Sequence, residues 1–176
     1  MSLRHAILGI LSIEPMSGYD LKKVIDESVG HFWSADQSQI YRTLNALVED
    51  NLATRRTVVQ EERPNQHIHR PTDLGLAELE QWLRSPIQMG PSREPFLARL
   101  FFADRLPAAD IAELLEAHHQ EVLQRLAVLE AINVPDQPGD LGHVLRMATL
   151  ANGITHAKAE LAWIENTKRD VERIYP

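Results

Sequence analysis

The sequence predicts a mainly α fold with one small two-stranded ribbon, and three observations carry that prediction. Apolar residues recur at helical spacing over most of the chain. A single Thr- and Val-rich stretch, 52–60, breaks that rhythm and favours a strand. Pro86, Gly90, Pro91 and Pro95 cluster near the middle and mark a break between two halves.

The first half reads as three helices, a hairpin and a fourth helix. Leu3, Ile7, Leu8 and Leu11 make the inner face of the first helix. Pro15-Met16-Ser17-Gly18 ends it and supplies Ser17 as a helix-start residue for the second. Leu21, Val24 and Ile25 face inward there, and Gly30 closes it. Ser34 and Asp36 are N-cap candidates for the third helix. That helix carries Ile40, Leu44, Leu47 and Val48 as one stripe. Residues 61–65 contain Pro64 and read as a hairpin tip, from which 66–70 return as a short strand. Thr72 caps a fourth helix through Leu76, Leu79 and Leu83.

The second half reads as helical throughout. Phe96, Leu97, Leu100 and Phe101 form an apolar patch, and Pro107 sits at a helix start. Ile111, Leu115, His118, Val122, Leu126 and Leu129 then step along one face. A last helix is expected from about 141 to 174, with Val144, Ala148, Ala151, Thr155, Lys158 and Leu161 near one stripe. At 1.5 Å per residue it would run about 50 Å. That is too long for a 176-residue protomer to cover alone, and a second copy of the chain is the simplest cover. The expected division is 1–86, a linker at 87–94, and a helical dimerisation domain at 95–176.

Three helices followed by a two-stranded wing make a winged helix-turn-helix. The third helix of such a unit enters the major groove, where its outward residues meet base edges and phosphates. With Ile40, Leu44 and Leu47 turned inward, the outer face offers Ser38, Gln39, Arg42, Thr43 and Asn45. These are hydrogen-bonding side chains suited to that surface. Arg55, Arg56 and Arg63 on the hairpin reach toward the flanking backbone. A solvated helix face and ordinary surface charge are the plain alternatives for these residues.

Charge works the other way. The formal net charge is −7, with nine basic against twelve acidic residues in 1–86 and nine against thirteen in 87–176. Positive charge for DNA must therefore be gathered on one face by folding, and binding should be strongly salt-sensitive.

The ordered motifs resemble the PadR family of transcriptional regulators. The family's Pro-x-x-Gly-Tyr-(Asp/Glu)-Leu turn stands here as Pro15-Met16-Ser17-Gly18-Tyr19-Asp20-Leu21. Its Phe-Trp pair is Phe32-Trp33, and its Gln-Ile-Tyr-x-x-Leu is Gln39-Ile40-Tyr41-Arg42-Thr43-Leu44. Thr72-Asp73-Leu74-Gly75 matches the opening of its fourth helix, and 100–107 resembles a later apolar segment. The resemblance spans nearly the whole chain and is closest to the subgroup with the larger C-terminal domain. It implies a homodimer on a palindromic DNA operator, usually as a repressor and often of its own gene. It places Tyr19, Gln39 and Tyr41 near DNA and builds the dimer from the long C-terminal helices. One departure stands out: where many relatives carry Lys-x-Tyr on the returning wing strand, this chain has His67-Ile68-His69, with Glu61-Glu62 at the tip. Neutral histidines gain charge beside phosphates or in mild acid.

Other chemistries have thinner support. His67 and His69 would share one side of a strand, but no third metal ligand accompanies them. The family includes members that answer to phenolic acids and planar drugs, which makes Trp33, Trp82, Phe101 and Trp163 candidates for an aromatic effector pocket. Packing in a core or at a dimer contact is the competing reading for the tryptophans. No phosphate-cradling glycine loop or nucleophile elbow is present, so neither enzyme activity nor a cofactor is expected. The absence of cysteine excludes disulfide and thiol chemistry. No signal peptide or membrane span is read, and the cytoplasm is the expected location. A protein-contact module without DNA affinity and a small aromatic-ligand-binding protein remain the rival readings.

Overall fold

The computed structural model describes residues 3–28, 30, 35–59, 65–87, 93–132 and 139–175. The chain divides into two compact units, Met1–Gly90 and Pro91–Pro176.

In the first unit, α1 (Leu3–Ile13) buries Ile7, Leu8, Ile10 and Leu11. A two-residue strand β1 (Met16–Ser17) leads directly into α2 (Gly18–Glu27). Ser17 caps α2 by accepting the Asp20 backbone N–H at 3.2 Å. Helix α3 (Gln37–Glu49) opens on a full capping box: Asp36 Oδ1 accepts the Gln39 N–H at 2.7 Å, and Gln39 Oε1 accepts the Asp36 N–H at 3.1 Å. Asp36 thus fills the predicted cap, while Ser34 lies outside the described residues.

The end of α3 is equally well specified. Leu52 N–H returns to Leu47 C=O at 2.8 Å and Asn51 N–H to Val48 C=O at 3.1 Å. This is a Schellman closure, and it requires a left-handed residue at Asn51, whose φ is 59°. Asparagine tolerates that conformation and a β-branched residue does not. Asn51→Val is expected to cost about 1–2 kcal/mol, and Asn51→Gly to leave stability nearly unchanged. Urea denaturation of the two variants checks both.

Strands β2 (Ala53–Val58) and β3 (Gln66–Pro71) pair antiparallel from Ala53↔Pro71 to Val58↔Gln66. The other edge of β3 pairs with β1 through Met16↔His69 and Ser17↔Ile68, so the order is β1-β3-β2. The expected two-stranded wing is therefore anchored by a third short strand. Two residues are too few to leave a periodic signal in the sequence.

Helix α4 (Asp73–Arg84) starts at Thr72, whose Oγ1 accepts the Gly75 N–H at 3.1 Å and donates to Asn51 C=O at 2.7 Å. One core joins these elements. Ile7, Leu8, Leu21, Ile25, Ile40, Leu44 and Leu47 are 0–1% exposed within it. Each such side chain contributes roughly 1.5–3 kcal/mol by burial.

The second unit holds α5 (Pro95–Phe101), a 3-10 turn (Ala103–Arg105), α6 (Ala108–Glu130) and α7 (Leu141–Ile174). Helices α6 and α7 run antiparallel, with Lys168 Nζ 2.6 Å from Glu116 and Lys158 Nζ 2.8 Å from Glu130. The predicted α6 face holds: Ile111, Leu115, Val122 and Leu129 are buried.

On α7 the face packed on α6 lies beside the expected stripe. Leu150, Ala157 and Ile164 are the buried residues, seven apart, whereas Val144 is 57% exposed. Ala157 packs against Val122 with Ile164. Val144 belongs to the stripe for which a second copy is the expected cover. Among the described residues no helix is long and apolar enough to cross a membrane.

Candidate nucleic-acid interface

Helix α3 turns Ile40, Leu44 and Leu47 into the core, which leaves Ser38, Gln39, Tyr41, Arg42 and Asn45 exposed and Thr43 half-buried. Several of these side chains also serve the helix itself. Gln39 belongs to the capping box, Ser38 Oγ donates to Asp36 Oδ1 at 2.7 Å, and Thr43 Oγ1 donates to Gln39 C=O at 2.8 Å. Arg42 Nε reaches Ser38 C=O at 3.3 Å and its remaining guanidinium N–H groups point to no described acceptor. Tyr41 and Asn45 make no intramolecular hydrogen bond among the described residues.

Beside α3 lies an open groove of about 630 Å³ between the start of α2 and the wing. Ser17, Tyr19, Tyr41, Asn45, Arg55 and His67 all line it, so six residues that the sequence singles out, Ser17 as a helix start and also a candidate DNA contact, come together. Gly18 explains part of that convergence. A Cβ there would sit 2.7 Å from Tyr41 Cε1, so the ring lies directly over the glycine. Ser17 is 6% exposed, and its hydroxyl both caps α2 and donates to Asp20 Oδ2 at 2.6 Å.

The two adjacent wing arginines part company. Arg55 is paired with His69 and Arg56 with Ile68, so they point to opposite faces of the ribbon. Arg55 lines the groove and Arg56 does not. Strand alternation was the sequence signal that separates them. Arg63 lies outside the described residues. Asp20, Gln66 and His69 also line the groove; Asp20 stands in the family's turn motif and His69 in the altered wing strand, whereas nothing in the local sequence marks Gln66.

The two wing histidines differ. His67 is exposed, with Nδ1 3.1 Å from Thr57 Oγ1. His69 is 4% exposed and its Nδ1 is buried without a hydrogen-bond partner. Burial, and then the charges of Arg55 and His67, push the His69 imidazole below its ordinary value. Buried His69 therefore resists the protonation expected of a wing histidine. Burial lowers His5 in the same way, opposed by Glu78.

A stability consequence follows. The unfolded chain protonates these rings near pH 6.5, while the folded unit takes up the protons only at lower pH. The unfolded state thus binds more protons, and stability falls as pH drops below the ordinary histidine pKa. Urea midpoints should decline from about pH 7.5 to about pH 5.5, with a shallower slope in His69→Gln. An unchanged slope would count against this account.

Among the described residues no group of three or more His, Asp or Glu side chains could hold a metal. The aromatic candidates have separate partners. Trp82 stacks on His5 at 4.9 Å and packs against the core of the first unit. In the second unit, Trp163 lies edge-on to Phe96 at 6.2 Å, and Phe101, 79% exposed, meets Phe102 at 5.0 Å. Trp33 lies outside the described residues. A small cavity of about 260 Å³ opens beside Phe96, Arg99, Leu114 and His118.

The chain's similarities agree with this geometry. Residues 7–81 match the model of the transcriptional regulator PadR-like family, and residues 92–172 match that of the virulence activator alpha C-terminal region. The chain is 30% identical to the negative transcriptional regulator PadR of Bacillus subtilis over 175 residues, which covers 93% of this chain and 94% of that one. The chain belongs to the PadR-like family of transcriptional regulators. PadR-family proteins are DNA-binding regulators, not enzymes. A Mycobacterium tuberculosis protein named "Probable transcriptional regulator Rv1176c" is 41% identical over 87 residues, 49% of this chain and 46% of its own length. A crystal structure of B. subtilis PadR in complex with operator DNA superposes with a TM-score of 0.82 at 28% identity, covering 96% of this chain and 98% of that one. The same protein in complex with p-coumaric acid gives 0.76 at 26% identity, covering 97% and 98%. The PadR fold thus extends over both units of this chain.

Proposed function

We propose that this PadR-family regulator is a dimeric repressor that binds a palindromic operator through the first unit and is released by a small planar or phenolic effector. The observation that carries the reading is the convergence of Tyr19, Tyr41, Asn45, Arg55 and His67 on one groove beside the exposed face of α3, in a chain whose fold matches a relative crystallised on its operator. In this reading α3 enters the major groove, where Ser38, Gln39, Arg42, Thr43 and Asn45 meet bases and phosphates. Tyr19, Tyr41, Arg55 and His67 hold the flanking backbone. The site works in the cytoplasm, where the genome is.

The dimer is built by the second unit. Leu141, Val144 and Leu145 are 57–70% exposed on a 34-residue helix, an apolar surface that a second copy would cover. Two recognition helices must then sit about 34 Å apart, or a multiple of that. An effector acts by favouring a spacing that does not fit the operator.

Fluorescence anisotropy of a duplex from upstream of the protein's own gene tests this, beside a scrambled duplex and across salt concentrations. With about 6–10 phosphate contacts, log affinity should fall with log salt at a slope of roughly −5 to −9. Added p-coumaric acid should release the duplex. No binding to any duplex at low salt would overturn the reading. The match of the C-terminal half to a virulence-activator region favours a second output, activation, and a promoter-reporter fusion separates the two.

A further inference from the structure

The groove that is to receive DNA contains a carboxylate. Asp20 lines it beside Tyr19 and Arg55, and a negative charge there repels phosphate. Its hydrogen bonds give it a different task. Asp20 Oδ2 accepts from Ser17 Oγ at 2.6 Å and from Gln66 Nε2 at 3.0 Å. The second bond joins residues 46 apart in sequence, and it links α2 to the wing.

Its position on the wing is what matters. β1 supports β3 only at Ile68 and His69. Beyond them the ribbon is two strands alone, ending at the Val58↔Gln66 pair. A lone two-stranded ribbon is marginally stable and free to twist. Gln66 is the last pair before the tip, and among the described residues its bond to Asp20 is the one side-chain hydrogen bond from that distal segment to a helix.

We propose that Asp20 is a positioning residue for DNA recognition: it fixes the distal wing, through Gln66, at a set distance from the N-terminus of α2 and the groove face of α3. The inference rests on the DNA-binding reading above and deepens it. The acceptor oxygen supplies affinity by holding the wing in its bound arrangement before DNA arrives, and the charge is the cost of that acceptor.

Positioning and simple electrostatics predict opposite signs. Removing a carboxylate from a DNA-facing groove should tighten binding if charge alone matters. If Asp20 positions the wing, Asp20→Ala weakens operator binding about tenfold despite the lost negative charge. Asp20→Asn keeps an acceptor for both Ser17 and Gln66 while losing the charge, so it binds as tightly as the parent or tighter. Gln66→Ala leaves the cap of α2 intact and weakens binding like Asp20→Ala, and the double variant is no weaker than the worse single one.

The measurement is operator anisotropy on the full chain with these four variants. Amide hydrogen exchange at residues 57–58 and 66–67 in the free protein runs beside it. Faster exchange in Asp20→Ala and Gln66→Ala, restored in Asp20→Asn, is expected. Asp20→Ala binding as tightly as the parent overturns the proposal, as does Asp20→Asn binding as weakly as Asp20→Ala. If the parent binds no duplex, the DNA-binding reading is what has failed. Exchange then decides the tie by itself, and wing amides unchanged in Asp20→Ala would overturn it.

Discussion

Gly75→Ala is expected to destabilise the first unit by about 3 kcal/mol or more, at or beyond the upper end of ordinary overpacking costs. A Cβ at this position would lie 2.0 Å from the Leu52 carbonyl oxygen and 3.2 Å from Leu8 Cδ2. The first contact is with backbone, which cannot rotate away. That carbonyl also accepts the Thr72 N–H at 2.9 Å, so moving it breaks a second bond. Leu52 itself is 4% exposed and closes the end of α3, which leaves the chain no slack on that side. The alanine must therefore push α4 off α1 or distort the root of the wing. Urea denaturation followed by circular dichroism measures the loss. A midpoint within error of the parent would mean that α4 shifts freely, contrary to the packing described.

Arg42→Ala is expected to cost about 1–3 kcal/mol of operator affinity with no loss of folding stability. The side chain is exposed on α3, and its one described bond is the 3.3 Å contact to Ser38 C=O, so little in the fold depends on it. The pattern of loss tells what it touches. A phosphate contact weakens all duplexes alike and lowers the salt slope by about one. A base contact relaxes discrimination at one position and leaves the slope nearly intact. Unchanged affinity would turn attention to a protein-contact role for the winged unit.

What the sequence made legible was local. The inward stripe of α3, the caps at Ser17, Asp36 and Thr72, and the buried face of α6 all follow from spacing and side-chain chemistry within a few residues. The groove was half legible: six of its residues are ones the sequence singles out, four of them at the start of α2 and on α3, where capping and a tight turn bring the two helices together. The rest depends on pairing over long range. β1 exists only because β3 returns beside it, and the Asp20–Gln66 bond spans 46 residues. Strand alternation opposes Arg55 and Arg56, but which of them faces the groove becomes clear only once the register is known. On α7 the contact with α6 centres on Ala157, a residue that the expected stripe does not include.

The root of the wing has one more consequence. Leu52 and Thr72 are joined by a backbone hydrogen bond, and Asn51 and Thr72 by a side-chain bond. The segment 53–71 thus leaves and re-enters the domain at one clasp, and β1 holds it again at Ile68 and His69 and Asp20 at Gln66. Inserting residues between Val58 and Gln66 lengthens a loop whose ends are already held. Each doubling of such a loop costs only about 0.6 kcal/mol of closure entropy. The reach of the wing along a duplex is therefore a dimension that can be lengthened or trimmed almost independently of the core, as a tool handle is changed without recutting the head.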